Sequence, residues 1–278
     1  MTTLLVHRRP ARGAASRLPV AAGGLAVALI AAVLLFPSWF ATHSPETNDV
    51  LNAFAPPSAD HLLGTDQLGR DVFSRLVHGA RLSVTIGLVA TVVGVVLGSV
   101  LGLAAAGGGK WADVVVMRLT DVWLAFPEIL LALLMIALIG PGAANVAVAI
   151  GVAATPYYGR LVRGQALAVA RSEYVEAARV LGVGPVRTAL RHVLPNVGGP
   201  VIVLASLGTG SAVVAAAGLS LLGLGPLPPT PEWGAMLAEG QGYLSTAWWI
   251  AVFPGAAIVA VVLAVTALGR AVQSRSLR

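Results

Sequence analysis

Apart from Arg191, five stretches of this chain carry no Asp, Glu, Lys or Arg: 18–45, 82–109, 129–159, 188–231 and 240–269. A helix crossing a bilayer needs only about 20 apolar residues, so a chain built this way must place most of itself in hydrocarbon. Charged residues make up 11% of the 278, against about 25% in soluble domains, which excludes a soluble globular protein. Hydrocarbon offers no partner to a bare backbone N–H or C=O, so spans are helices or a closed barrel. The Leu, Ala and Val runs lack the alternation of barrel strands. The expected fold is therefore an all-α membrane protein with six transmembrane helices, at about 18–40, 81–106, 114–139, 143–162, 198–222 and 247–269. Gly140-Pro141-Gly142 divides the 129–159 run into a hairpin. Cysteine is absent, which removes disulfides, thiolate metal sites and cysteine nucleophiles.

The basic residues orient these spans. Arg8, Arg9, Arg12 and Arg17 precede the first, which is too long for a signal peptide's apolar core and is read as an uncleaved anchor. With the N-terminus in the cytosol, residues 1–17, 107–118, 160–197 and 270–278 lie inside and hold 15 of the 18 Lys and Arg. Arg70, Arg75 and Arg81 fall outside, so the distribution is positive-inside with both termini cytosolic. The net charge of +6 thus reports topology, and no nucleic-acid partner is expected. The organisation that follows is a cytosolic basic tail (1–17), an anchor helix with an external segment (18–79), a multi-span membrane domain (80–270) and a cytosolic tail (271–278).

The long inner loop, residues 163–196, carries Arg163, Arg171, Arg179, Arg187 and Arg191. It reads as two short helices: one to about Leu181 with Gly182 as its left-handed stop, the next opened by Gly184-Pro185 and closed by Pro195. Tyr174, Ala178 and Leu181 share a stripe with Ala177 beside it, bordered by Glu173, Glu176 and Arg179. A small apolar face with a charged rim suits docking into a partner's groove. An ordinary basic loop that only fixes topology is the alternative.

Glu176-Ala177-Ala178, then Gly182, then Leu194-Pro195 resembles the coupling loop of permease subunits in binding-protein-dependent ABC importers. His192 stands where that family usually has an apolar residue. Arg191-His192-Val193-Leu194-Pro195-Asn196 is similar to the version in the dipeptide, oligopeptide and nickel branch. His61-Leu62-Leu63-Gly64-Thr65-Asp66-Gln67-Leu68-Gly69-Arg70-Asp71 and Pro228-Pro229-Thr230-Pro231-Glu232-Trp233-Gly234 resemble the same branch. The resemblance covers nearly everything from residue 60 onward and points to the second permease of such a pair. It implies a type I ABC importer permease fold in a prokaryotic cell membrane. The implied partners are a homologous permease as heterodimer, two ATPase subunits docking on the 163–196 loop, and an external solute-binding protein. It also implies no cofactor on this chain, ATP-Mg being bound by the ATPases. Peptides are the first expected cargo and nickel the second.

Several other residues bear on which chemistry the chain supports. A P-loop needs Gly-Lys followed by Ser or Thr, and the sole lysine, Lys110, precedes Trp111. Nucleotide hydrolysis is thus not expected here, and the chain reads as a transport subunit, not an enzyme. All five histidines lie outside the spans and no H-E-x-x-H occurs, which removes an intramembrane metalloprotease. Ser220 reads as a serine satisfied by its own helix. Arg118 and Asp121, three apart on one helix, are expected to pair. Glu128, after Pro127, either lines the translocation path or pairs with a neighbouring helix. Ala90, Gly94, Gly98 and Gly102 form a stripe open to close helix approach. In the external segment Gly64, Thr65, Asp66, Gly69, Arg70 and Asp71 are expected to form a capped turn opening the second span. Carboxylates here occur at spacings too common to define a metal site, so none is expected. Pro229 and Trp233 belong to a rigid outer turn, with Trp233, Trp248 and Trp249 in an interfacial aromatic belt. A secondary transporter with a proton on Glu128, needing no ATPase, is the rival from another class; a structural scaffold is the third reading.

Overall fold

The computed structural model describes residue 28 and residues 31–276. The 1–17 tail and most of the first expected span lie outside the described residues; of that span, residues 31–35 are helical and Pro37–Phe40 form one more helical turn. The helices that follow are α1 (Val72–Gly107), α2 (Gly109–Leu124), α3 (Glu128–Ile139), α4 (Ala143–Ala170), α5 (Glu173–Val180), α6 (Pro185–Thr188), α7 (Leu194–Leu221), α8 (Trp233–Gly240) and α9 (Trp249–Ser276). Among the described residues there is no strand, only an isolated bridge between Thr65 and Asp71.

α1 begins where Asp71 caps it, its Oδ2 accepting from Ser74 N at 2.8 Å, and runs through a sequence uncharged from Leu82 to the glycines at 107–109. Its small-residue stripe meets α4 of the same chain. A Cβ on Gly98 would sit 2.5 Å from Tyr158 Cβ and 2.8 Å from Gly159 N, and one on Gly102 would sit 2.6 Å from Gly159 O. Glycine is what lets the two backbones touch. α7 closes the bundle, burying Ala212, Ala216 and Leu219 against Ile86 and Ala90 of α1 and Ile150 of α4. Ala132 and Ile136 of α3 complete that core.

The expected spans are partly redrawn. Val72–Gly107, Pro185–Leu221 and Trp249–Ala271 are each long and apolar enough to cross a membrane. The expected span at 114–139 is instead α2 and α3, bent by 90° at their break; taken as one, they make a fourth. Pro127, which withholds an N–H from the turn before it, accounts for the corner. The helix expected at 143–162 forms as α4, much of which is buried among its neighbours, and it is not among the helices counted as spans by length and composition. Six spans are therefore not counted among the described residues.

Pro195 does not end the loop's second helix. It lies in the first turn of α7, and a π-helical turn at Ala189–Val193 joins α6 to α7, so that Pro185–Leu221 is continuous. π-Helical turns of this kind are rare and occur mostly as single-turn bulges within α-helices, where they bend the axis. The aromatic belt is also corrected. Trp233 and Trp249 are buried among Val72, Ala80, Val213 and Ile250, and only Trp248 is exposed. Each buried indole has found an acceptor: Trp233 Nε1 donates to Leu76 O at 2.8 Å and Trp249 Nε1 to Thr65 O at 3.0 Å.

Candidate functional site

Three groups of polar residues are spaced along the bundle. The first surrounds the start of α1. Asp66 Oδ1 accepts from the backbone N–H groups of Leu68 (2.9 Å) and Arg70 (3.0 Å), which shapes the capped turn expected from the sequence. Gly64 and Gly69 flank the turn with φ of 76° and 73°, and Thr65 Oγ1 accepts from Ala55 N at 2.8 Å. Asp66 Oδ2 is 2.6 Å from Arg70 Nε and 3.5 Å from Arg75 Nε. Glu239 of α8 bridges the same two guanidinium groups, 2.7 Å from Arg70 and 3.4 Å from Arg75. Arg75 Nη1 also donates to Pro45 O (3.3 Å) and to Pro229 O in the outer turn (3.4 Å). Glu232 is buried and caps α8, accepting from Gly234 N, Ala235 N and Ser83 Oγ. The outer motif is thus a clasp that fastens the turn before α1 to α8. Glu239 is absent from the sequence candidates and Glu232 enters them only as part of the Pro228–Gly234 motif, although they are the two carboxylates between the uncharged runs 192–231 and 240–269.

The second group lies midway. Glu128 occupies the corner between α2 and α3 and lines a groove of about 290 Å³ with Thr91 of α1, Tyr157 and Tyr158 of α4, and Leu204, Gly208 and Ser211 of α7. On its other side Glu128 faces a shallower apolar groove bounded by Val214, Gly218 and Val262. Among the described residues Glu128 has no ion pair, so the neighbouring-helix pairing considered from the sequence is not formed within this chain. Nor do Arg118 and Asp121 pair. Asp121 accepts from Arg160 of α4, and Asp113 is gripped by Arg163, with Nη2 to Oδ2 at 2.6 Å. These contacts tie α2 to α4 below the groove; tertiary approach has displaced the local i,i+3 pair.

The third group is the loop at the far end of α1 from the clasp. α4 runs on to Ala170 and breaks at Arg171–Ser172 before α5 begins, so the first loop helix expected from the sequence is two. α5 carries Glu173, Tyr174, Glu176, Ala177, Ala178 and Arg179, and ends as expected at Gly182, whose φ is 79°. Val183 N donates back to Ala178 O at 3.1 Å, completing the left-handed stop. The docking stripe is redistributed. Ala178 turns inward with Val175, while Val180 and Leu181 are each 83% exposed and Ala177 is exposed beside them. Tyr174 reaches across the loop, its hydroxyl donating to His192 O at 3.1 Å; Asn196 Nδ2 donates to the same carbonyl at 2.8 Å. At its base Val162 and Ala166 of α4 pack against Val193, Val197 and Val201.

An all-helical bundle with a partly polar groove at mid-depth, a clasped end and a protruding loop at the other defines a multi-pass membrane permease subunit. Residues 79–278 match the family of binding-protein-dependent transport system inner membrane components. The di/tripeptide transport system permease DppC of Pseudomonas aeruginosa (strain UCBPP-PA14) is 43% identical over 256 residues, covering 90% of this chain and 84% of that one. The glutathione transport system permease GsiD of Pectobacterium atrosepticum is 41% identical over 251 residues, 89% and 83% respectively. The inward-facing MetNI methionine ABC transporter shares the fold at a TM-score of 0.60 and 20% identity, over 72% of this chain and 95% of that one. This chain belongs to the binding-protein-dependent transport system inner membrane components and has the ABC importer permease fold. Membership carries with it, in general terms, a partner permease, ATPase subunits and a solute-binding protein.

Proposed function

We propose that this chain forms half of the transmembrane pathway of an ATP-driven importer of di- and oligopeptides and transmits the motion of separate ATPase subunits through residues 173–195. The observation that carries the reading is the loop: a short helix held at its base by the Val162–Val193 core and at its side by Tyr174, yet presenting Ala177, Val180 and Leu181 outward beside Glu173 and Glu176. Large exposed apolar side chains on a braced helix are what a partner's groove requires. Nucleotide with its magnesium belongs to those ATPases and no cofactor to this chain, in keeping with a sole lysine outside any P-loop. The loop is cytosolic, as are both termini, on the strength of the arginine distribution. Peptides are the cargo named for relatives 40–43% identical, and the Glu128 groove, with two tyrosines and a carboxylate, has the mixed character that a zwitterionic chain with apolar side groups needs.

The test is reconstitution of the full complex in vesicles with its binding protein. Peptide-stimulated nucleotide hydrolysis and uptake are expected with wild type. With Leu181→Asp both are expected to vanish while the two permeases still co-purify. Uptake by this polypeptide alone, driven by a proton gradient, would overturn the reading.

A further inference from the structure

Asp71 caps α1 with one carboxylate oxygen and leaves the other in an unusual setting. Oδ2 accepts from Ser74 N at 2.8 Å. Oδ1 is 3.0 Å from His61 Nδ1 and 3.9 Å from His43 Nδ1, and the two imidazole rings lie 4.8 Å apart. The Asp71 side chain is 1% exposed, and a buried carboxylate requires a counter-charge or a metal. The permanent cations of this end do not serve it: Arg70 and Arg75 are turned to Asp66 and Glu239. Among the described residues its ion-pairing partners are the two histidines alone.

We propose that His43, His61 and Asp71 form a binding site for a divalent transition cation of the zinc(II) class. One donor atom from each residue lies within 4.8 Å of the other two. Metal–ligand bonds of about 2.0–2.2 Å to nitrogen and oxygen bring tetrahedral neighbours to within roughly 3.5 Å of each other, so the donors need to draw together by little more than about 1 Å. Two imidazoles and one carboxylate suit zinc and its neighbours better than magnesium or calcium, which prefer oxygen alone. His61 is partly and His43 substantially open to solvent, which supplies an entry route and a water as fourth ligand. The surrounding bonds already fix the donors: Ser74 Oγ accepts from His43 N at 2.9 Å, and Thr42 Oγ1 lies 3.5 Å from Asp71 Oδ2. Outer partners of this kind set ligand orientation.

The three donors come from three separated stretches: the turn after Pro37–Phe40, the loop before the Gly64 motif, and the cap of α1. An ion here staples the segment before α1 to the start of the bundle. It lies about 28 Å along α1 from Ala90 and the Glu128 groove, at 1.5 Å per residue, so it is not a cargo site.

Equilibrium dialysis of the full-length chain in detergent against zinc(II) alone tests this, with thermal unfolding and cobalt(II) absorption as second readouts. Wild type is expected to bind one equivalent, unfold at a higher temperature with zinc, and give the visible bands of four-coordinate cobalt. His43→Ala and His43→Gln, at an exposed ring, are expected to fold with unchanged metal-free midpoints, lose affinity at least about tenfold and lose the cobalt bands. Wild type that binds no zinc overturns the proposal, as does zinc or cobalt binding unchanged in both His43 variants.

Discussion

Single residues in this chain carry constraints of two kinds, one local and one assembled over long sequence distances. Asp66 belongs to the second: its carboxylate stands between two buried guanidinium groups that Glu239, more than 160 residues away, also holds. Asp66→Ala leaves both arginines underpaired, and breaking a buried pair costs roughly 3–5 kcal/mol. A lower unfolding midpoint of the purified chain in detergent is the expected result. Gly98 belongs to the close approach of α1 and α4. Gly98→Ala pushes a methyl onto Tyr158 and the Gly159 backbone and is expected to destabilise by about 1–3 kcal/mol. Gly107→Ala, beside which nothing lies within 4 Å, is the control that should leave the midpoint in place. The Asp71 cap, the Gly182 stop and the small-residue stripe were legible in sequence because each is written in a few adjacent or periodically spaced positions. The Asp66–Arg75–Glu239 clasp and the His43–His61–Asp71 cluster were not, since their members share no spacing and meet only through the fold.

Among the elements, α5 and its stop carry the proposed coupling. Gly182 adopts φ of 79°, where a side chain costs roughly 1–2 kcal/mol. Gly182→Ala is expected to distort the loop tip and cut uptake, with the bundle's unfolding midpoint nearly unchanged because nothing packs within 4 Å of that position. Comparing uptake with thermal unfolding separates the two effects. Periodicity located most of the helices and misjudged their breaks. The interruption at Arg171–Ser172 depends on how the loop packs, information that a hydropathy pattern does not hold, whereas the corner after Leu124 is marked in the sequence by Pro127. Likewise Ala178 and Leu181 share a stripe on paper, yet one is buried and the other stands in the open.

At the scale of the whole molecule, Glu128 is the test of where cargo passes. It lines two grooves and makes no ion pair among the described residues. Glu128→Gln preserves shape and removes the charge; it is expected to lower peptide uptake several-fold while the ATPases still bind, as measured by co-purification and transport in parallel. The family and the membrane habit were readable from three separated motifs and the uncharged runs. Of the six expected spans, most of the first lies outside the described residues, and α4, with much of its surface packed among neighbours, is not among the helices counted as spans by composition.

The backbone-to-backbone seam between α1 and α4 limits how this subunit is able to move. With Gly98 seated on Gly159 and Gly102 against Arg163, neither helix slides past the other without lifting out of register, so the two travel as a single beam. If the chain opens and closes as the proposed function requires, that motion falls to the joints at the beam's margins, chiefly the elbow at Pro127 and the π-helical turn at Ala189–Val193, beside the groove and the loop respectively.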